Sequence, residues 1–186
     1  QTKTDLLTAF NSNGYTLGAD GSWWVNKTSE NYVSWTFRKA PKFFDIVTYT
    51  GDGVNPRAIA HNLGSVPGMI ITKRLDGLSD WWTYHRSLGA TKWVKLNTTG
   101  AETASTVWGT PTSSTFTVSA GANNFAGASF VAYIFAHETD AAGLIQCGSF
   151  TTDATPSAIT VNLGFEPQFL MLKNVSQAAN WEMVDN

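Results

Sequence analysis

The chain has 186 residues, enough for one sizeable β domain or two small ones with a buried core. Its formal charge of -2 at pH 7, with Lys and Arg scattered, removes the counterion-release basis of nucleic-acid binding, and no apolar run approaches the ~18 residues that span a bilayer. The single cysteine, Cys147, rules out an intrachain disulfide and a Cys/His zinc constellation, and it reads as a small buried hydrophobe.

Charged residues make up only 14% of the chain, and no stretch keeps a period near 3.6, so short strands joined by polar turns are expected throughout. The one candidate helix is Thr4 to Phe10, where Thr4 or Asp5 could cap a short apolar segment. Trp23-Trp24 follows in a loop whose length favours a surface or interface position. Tyr32 to Phe37 alternates as a strand, with Tyr32, Ser34 and Thr36 on one face and Val33, Trp35 and Phe37 on a core-facing side. Strands are then predicted at Asp45–Tyr49, Arg57–His61 and Met69–Arg74, separated by the Gly51-Asp52-Gly53 turn and a Gly64 to Gly68 turn. Asp80–His85, Lys92–Leu96, Thr106–Trp108, Thr115–Ser119 and Ser129–Ala136 supply more, many of them rich in β-branched or aromatic residues. About eight strands per unit imply an antiparallel β-sandwich.

An internal repeat organises these elements. Asn62-Leu63-Gly64-Ser65-Val66-Pro67 recurs as Asn162-Leu163-Gly164-Phe165-Glu166-Pro167, an offset of 100 positions. The match extends through Ala58-Ile59 and Ala158-Ile159, through Ile71-Thr72-Lys73 and Met171-Leu172-Lys173, and to Trp81 and Trp181. Two further correspondences keep the same order: Tyr32 to Phe37 with Phe130 to Phe135, and Tyr15-Thr16-Leu17 with Phe116-Thr117-Val118. The expected architecture is therefore all-β, in tandem sandwich-like units of about 100 residues. Residues 44–137 form a complete unit, 1–40 the end of a preceding one and 144–186 the start of a following one, so the chain reads as a fragment. Asn62, Gly64, Pro67, Asn162, Gly164 and Pro167 are turn residues in this scheme, Gly supplying positive φ and Pro fixing φ near -65°.

No catalytic signature is present: there is no G-x-S-x-G elbow, P-loop or H-E-x-x-H helix, and His61, His85 and His137 have no carboxylate at an informative spacing. They read as ordinary hydrogen-bonding histidines, and neither a cofactor nor a metal is implied. The Gly51-Asp52-Gly53 and Asp76-Gly77 segments lack a calcium-loop ligand array and read as turns. Asn26, Asn97 and Asn174 open glycosylation sequons of the kind a Thr/Ser/Asn-rich chain generates readily. The main binding candidate is Trp81-Trp82-Thr83-Tyr84-His85-Arg86, whose alternation sends Trp81, Thr83 and His85 to one face and Trp82, Tyr84 and Arg86 to the other. Such residues serve a core or subunit interface, or a flat apolar surface for a glycan ring with Arg86 adding a charged donor.

At Asn-Leu-Gly-x-x-Pro followed by an apolar strand and Lys73, then Trp81-Trp82-x-Tyr84-His85, the chain resembles repeat domains of tail-fibre and other virion proteins of tailed bacteriophages, notably marine phages. Gly14-Tyr15-Thr16-Leu17-Gly18 and Tyr32-Val33-x-Trp35-x-Phe37 share the likeness, which covers most of Gly14 to His85 and the second copy from Ala158 to Trp181 and is weakest over Gly89 to Pro111. The resemblance implies a non-enzymatic structural or adhesive component of an extracellular virion appendage, and it transfers no active-site residue. Expected partners are copies of itself, other virion proteins and a host-surface glycan or receptor, with no nucleic acid and no membrane insertion. The alternative is a carbohydrate-binding module of a secreted or cell-surface protein, with Trp82, Tyr84 and Arg86 facing the sugar.

Overall fold

The computed structural model describes residues 6–19, 25–140, 142–153 and 158–185, and the chain divides into two compact units, Gln1–Phe37 and Arg38–Asn186. The described residues are all β, with antiparallel pairing throughout and no helix.

In the first unit β1 (Leu7–Asn11) and β2 (Gly14–Leu17) form a hairpin, Asn11 opposite Gly14 and Phe10 opposite Tyr15. The helix expected over Thr4 to Phe10 is thus replaced by a strand from Leu7, while Thr4 and Asp5 lie outside the described residues. An isolated helical turn fixes several dihedrals for one hydrogen bond, whereas the two-residue turn at Ser12-Asn13 lets every following pair add to the ladder. The strand expected over Tyr32 to Phe37 is also not formed: these residues carry no regular structure, and Val33, expected to face the core, is 82% exposed.

The second unit is built on a six-stranded sheet. Its strands are β3 (Phe44–Thr50), β5 (Met69–Arg74), β6 (Trp82–His85), β7 (Lys92–Lys95), β8 (Thr103–Ala104) and β10 (Ser129–Phe135), in the order β3-β10-β5-β6-β7-β8. β10 is central, pairing Phe135 with Phe44 on one side and with Met69 on the other. A second sheet joins β4 (Arg57–Ala60) to β9 (Thr115–Val118), with Ile59 opposite Phe116. Missing ladder partners explain Tyr32 to Phe37: the matching strand, β10, takes its ladders from β3 and β5, and the described residues of unit 1–37 include no counterpart of either.

The period-2 geometry of strands decides where the core lies. Ile70, Tyr84, Ala132 and Ile134 leave one face of the large sheet and meet Ile59, Phe116 and Val118 of the small one in a single cluster that also takes Leu63, Val107 and Trp108. Met69, Ile71, Tyr133 and Phe135 leave the opposite face and form a second cluster with Cys147, Trp81, Leu96 and Met171. β5 and β10 are covered on both faces, which is why Met-Ile-Ile and Phe-Val-Ala-Tyr-Ile-Phe run apolar without alternation. Each such side chain contributes about 1.5–3 kcal/mol by leaving water. Thr106–Trp108 is not the strand its composition suggests; the ladder lies at Thr103–Ala104, opposite Lys92 and Trp93. Val107 and Trp108 are buried at 8% and 3% exposure because the core, not a ladder, holds them, and Ser119 Oγ donates to Val107 O at 2.9 Å.

Two asparagines tie the loop after β9 into this core. Asn123 Oδ1 accepts from Ser119 N at 2.9 Å, its Nδ2 donates to Thr72 Oγ1 at 3.3 Å, and its carbonyl accepts from Tyr49 OH at 2.7 Å. Asn124 donates to Asp52 Oδ1 and to Val54 O, both at 2.8 Å, and accepts from Asp52 N and Arg57 Nη1, both at 3.2 Å.

The Asn62-Leu63-Gly64 turn is held from both sides. Asp45 Oδ2 accepts from Asn62 N at 2.8 Å, His61 Nδ1 accepts from Leu63 N at 3.2 Å, and Gly64 takes φ +74°, a value at which a Cβ would be strained. Further on, Gly164 takes φ +77°. β11 (Phe169–Lys173) and β12 (Trp181–Asp185) then form a hairpin with Leu170 opposite Val184 and Lys173 opposite Trp181. It meets the β7–β8 connection through Trp181 Nε1 to Lys95 O at 3.1 Å, Ala179 N to Thr99 O at 2.9 Å and Glu102 N to Val175 O at 2.9 Å.

Candidate functional site

Pairing of β6 with β7 sets Trp82 opposite Lys95, and two residues of β7, Trp93 and Lys95, share the face on which Trp82 emerges. The two indoles meet edge to face, with ring centroids 4.6 Å apart and planes at 66°. Lys95 Nζ lies 5.1 Å from both centroids, a cation over two electron-rich rings. Asp80 Oδ2 holds that ammonium at 2.7 Å, and its Oδ1 accepts from Asn97 Nδ2 at 3.0 Å. Lys95 and Asn97 together hold the Asp80 carboxyl below the usual carboxylate range.

Next to this pair the surface opens into a groove of about 260 Å³, walled by Trp82 and Trp93 and by Asn55, Ser105, Thr106 and Ser119. Ser119 donates its hydroxyl proton within the protein, so its remaining lone pairs face the groove only as acceptors. Trp93 Nε1 is buried and has no hydrogen-bond partner among the described residues. A buried orphan donor costs about 1–3 kcal/mol. Flat aromatic surface with amide and hydroxyl groups suits a neutral polyhydroxylated ligand better than an anion, since Asp80 already neutralises Lys95.

The sequence candidates scatter around this groove. Trp82 lines it. Tyr84, one residue pair along the same face, is in the core at 5% exposure, edge-on to Trp108 at 6.0 Å. Trp81 points to the opposite face and stacks on Tyr133 at 6.2 Å. Arg86 lies beside His137, Nη1 to Nε2 2.9 Å, while Cys147 N approaches the ring's Nδ1 at 3.1 Å. Both neighbours are donors and a neutral imidazole has one acceptor, so only one of the two contacts is a hydrogen bond. Burial, then Arg86 and His137, hold His85 below its ordinary value, and burial and Arg86 do the same to His137. The group of Trp82, Tyr84 and Arg86 expected to face a sugar is therefore not assembled. Trp23 and Trp24 lie outside the described residues. Asn62, Gly64 and Pro67 sit in the turn before β5, Pro67 fully buried, and Asn162, Gly164 and Pro167 in the turn before β11, where Asn162 Oδ1 accepts from Gly164 N at 2.9 Å.

Trp93, Lys95 and Asp80 escaped the sequence reading, because only strand pairing brings them to Trp82. Cys147 behaves as expected of a buried thiol: its Sγ donates to Ala136 O at 3.4 Å, and burial pushes it up to about 12, the reverse of an activated thiolate. Asp52 and Asp76 are engaged by Arg57 at 3.2 Å and Arg74 at 2.6 Å. Among the described residues no three His, Cys, Asp or Glu side chains gather as metal ligands would.

Among the described residues, fold and groove define an antiparallel all-β structure with an open aromatic cleft. The family model described as "Domain of unknown function (DUF7483)" matches residues 1–186, and the chain belongs to that family. No curated protein and no solved structure matches it.

Proposed function

We propose that this chain is a non-enzymatic structural and adhesive module of a bacteriophage virion, part of a tail fibre or related appendage that acts in host attachment, built from tandem β-sandwich units of about 100 residues. The observation that carries the repeat is a coincidence of register. β5 and β6 pair Ile70 with Tyr84, and β11 and β12 pair Leu170 with Val184, each position moved by 100. The same shift relates Gly64 to Gly164 at positive φ, and the Lys73 Nζ bond to Ser79 O at 2.6 Å to the Lys173 Nζ bond to Ala179 O at 2.8 Å. Identical geometry at a fixed spacing is what repeated units produce. The virion assignment draws on the Asn-Leu-Gly-x-x-Pro and Trp-Trp-x-Tyr-His resemblance, and multiple weak contacts along such units would supply avidity. Immunogold labelling of purified phage particles with antibody raised against residues 44–137 tests it: labelled appendages and inhibition of adsorption by the purified chain are expected, and unlabelled particles refute it.

The groove favours a second reading, a carbohydrate-binding module. Here Trp82 and Trp93 form the stacking wall, and Asn55, Ser105 and Thr106 supply the directional contacts. A glycan array should return hits that Trp82→Ala abolishes and Arg86→Ala leaves intact; no hit removes this reading.

A further inference from the structure

Arg86, His85 and His137 gather at one end of the large sheet, where β5 begins and β6 and β10 finish. Met69 lies opposite His85 on one side and Phe135 on the other, and Arg86 N donates to Gly68 O at 2.9 Å. Main-chain donors fix how both rings are protonated. His85 Nδ1 accepts from Ser87 N at 3.2 Å, and Cys147 N lies 3.1 Å from His137 Nδ1. Cys147 is buried, and a buried main-chain N–H is seldom left unmet, whereas the exposed Arg86 side chain has water available. Of the two contacts to His137, the one at Nδ1 is therefore the hydrogen bond, and each neutral ring carries its proton on Nε2. His137 Nε2–H then stands 2.9 Å from Arg86 Nη1, donor against donor.

No acceptor answers these groups. Arg86 takes part in none of the ion pairs among the described residues, and His85 Nε2 has no hydrogen-bond partner among them. The acidic group that acts on His137 is Glu138, next to it in the chain, and Glu138 Oε1 is buried with no hydrogen-bond partner among the described residues. Burial first, and then the charge of its neighbours, holds each ring below its ordinary value: Arg86 and His137 act on His85, and Arg86 acts on His137.

We propose that this cluster binds an oxyanion, a sulfate or phosphate group, with one oxygen between Arg86 Nη1 and His137 Nε2. An oxygen there accepts from both, turning an opposed pair of donors into two hydrogen bonds to a charged acceptor, and the guanidinium has further N–H groups for a second oxygen. The exposed Arg86 side chain swings outward to admit it. The site is separate from the aromatic groove, which neither Arg86 nor His137 lines, and it depends on neither reading proposed above. Arg86 and His85 at the end of β6, Glu138 beside it and Cys147 from the segment beyond face His137. A bound anion favours the charged imidazole, so binding tightens as the pH falls through the lowered histidine values.

The ring NMR signals of the histidines in the purified chain, followed while sulfate replaces chloride at constant ionic strength, test the site. Sulfate keeps its charge where histidine titrates, so any pH dependence belongs to the protein. The His137 and His85 signals should move saturably while those of His61 stay still, and His137 should titrate at a higher pH with sulfate bound. Arg86→Gln should weaken binding about tenfold or more, the loss of one hydrogen bond between charged groups. His137→Asn keeps an acceptor for Cys147 N but removes the Nε2 donor and the titration, so it should bind more weakly and with a flatter pH profile. Rings that respond to chloride and sulfate alike, a His61 response equal to that of His137, or an Arg86→Gln chain that binds as the wild type does overturns the proposal. Glucose 6-sulfate separates the sources of the group: tighter binding than sulfate assigns the site to an ester on a larger molecule, and equal or weaker binding assigns it to the free ion.

Discussion

Replacing Asn124 by alanine isolates what the loop after β9 contributes. The side chain is wholly buried and makes four hydrogen bonds, two donated at 2.8 Å to Asp52 Oδ1 and Val54 O and two accepted at 3.2 Å from Asp52 N and Arg57 Nη1. A net hydrogen bond is worth about 1 kcal/mol, so the two short ones give about 2 and the two long ones share about 1. The partners sit at the surface, Asp52 with a 44% exposed side chain, and regain some water, which brings the expected loss to about 2–3 kcal/mol. For a unit of this size that lowers Tm by roughly 4–12 °C. Urea unfolding followed by tryptophan fluorescence should show a lower midpoint at unchanged slope. Asn124→Asp sharpens the test: it keeps the shape but sets a second carboxylate against Asp52, so it should be worse than alanine at neutral pH and recover as the pH falls toward the carboxylate range. A loss under about 0.5 kcal/mol for alanine, or an aspartate milder than alanine, would refute the argument that this buried amide ties the loop down.

Three further outcomes follow from burial and titration. A Cβ at Gly68 would lie 2.8 Å from Ala136 O, Cys147 Cβ and Cys147 Sγ, and since a backbone carbonyl has little room to yield, Gly68→Ala should cost about 1–3 kcal/mol in chemical denaturation. Ile134, fully buried between both sheets, should lose about 2–5 kcal/mol on truncation to alanine, against a negligible change for the exposed Leu78→Ala. His61, His85 and His137 are all held below 6.5 in the folded chain, chiefly by burial. Below that value the unfolded chain binds protons that the folded chain refuses, so stability should decline as pH falls from 6.5 through the lowered folded values and stay flat above; a urea midpoint unchanged between pH 7.5 and pH 5 would contradict this.

The strands that sequence alone delivers are those whose composition and environment agree. Met69–Arg74 is found with the expected ends, and Ser129–Ala136 is found one residue shorter, because β-branched and aromatic runs bounded by Gly are unambiguous when both faces are buried. Where a ladder depends on a distant partner, local pattern misleads. Tyr32 to Phe37 alternates well yet forms no strand in a unit whose described residues include no matching neighbours, and Val107-Trp108 is apolar because it plugs a core. Asn123-Asn124 looks like turn filler and is instead fully buried, since an amide's value lies in partners such as Thr72 and Val54 that are far away in sequence. Trp82 was legible as a binding candidate. The groove beside it was not, because Trp93 reaches it across a strand pair and Ser119 from just beyond β9 of the other sheet.

The paired lysine bonds carry a consequence for how such a sequence can vary. Lys73 and Lys173 each fasten the hairpin loop that follows by donating to a backbone oxygen six residues on, Ser79 O in one case and Ala179 O in the other. A main-chain carbonyl is present whatever side chain stands there, so the clasp is blind to the loop's composition; Leu75-Asp76-Gly77-Leu78 and Val175-Ser176-Gln177-Ala178 share no residue and are held alike. As far as this clasp is concerned the side chains of both tips can differ while the spacing is kept, but in the first tip Asp76 also accepts from Ser129 N at 3.0 Å, so the second is the practical one for grafting foreign peptides.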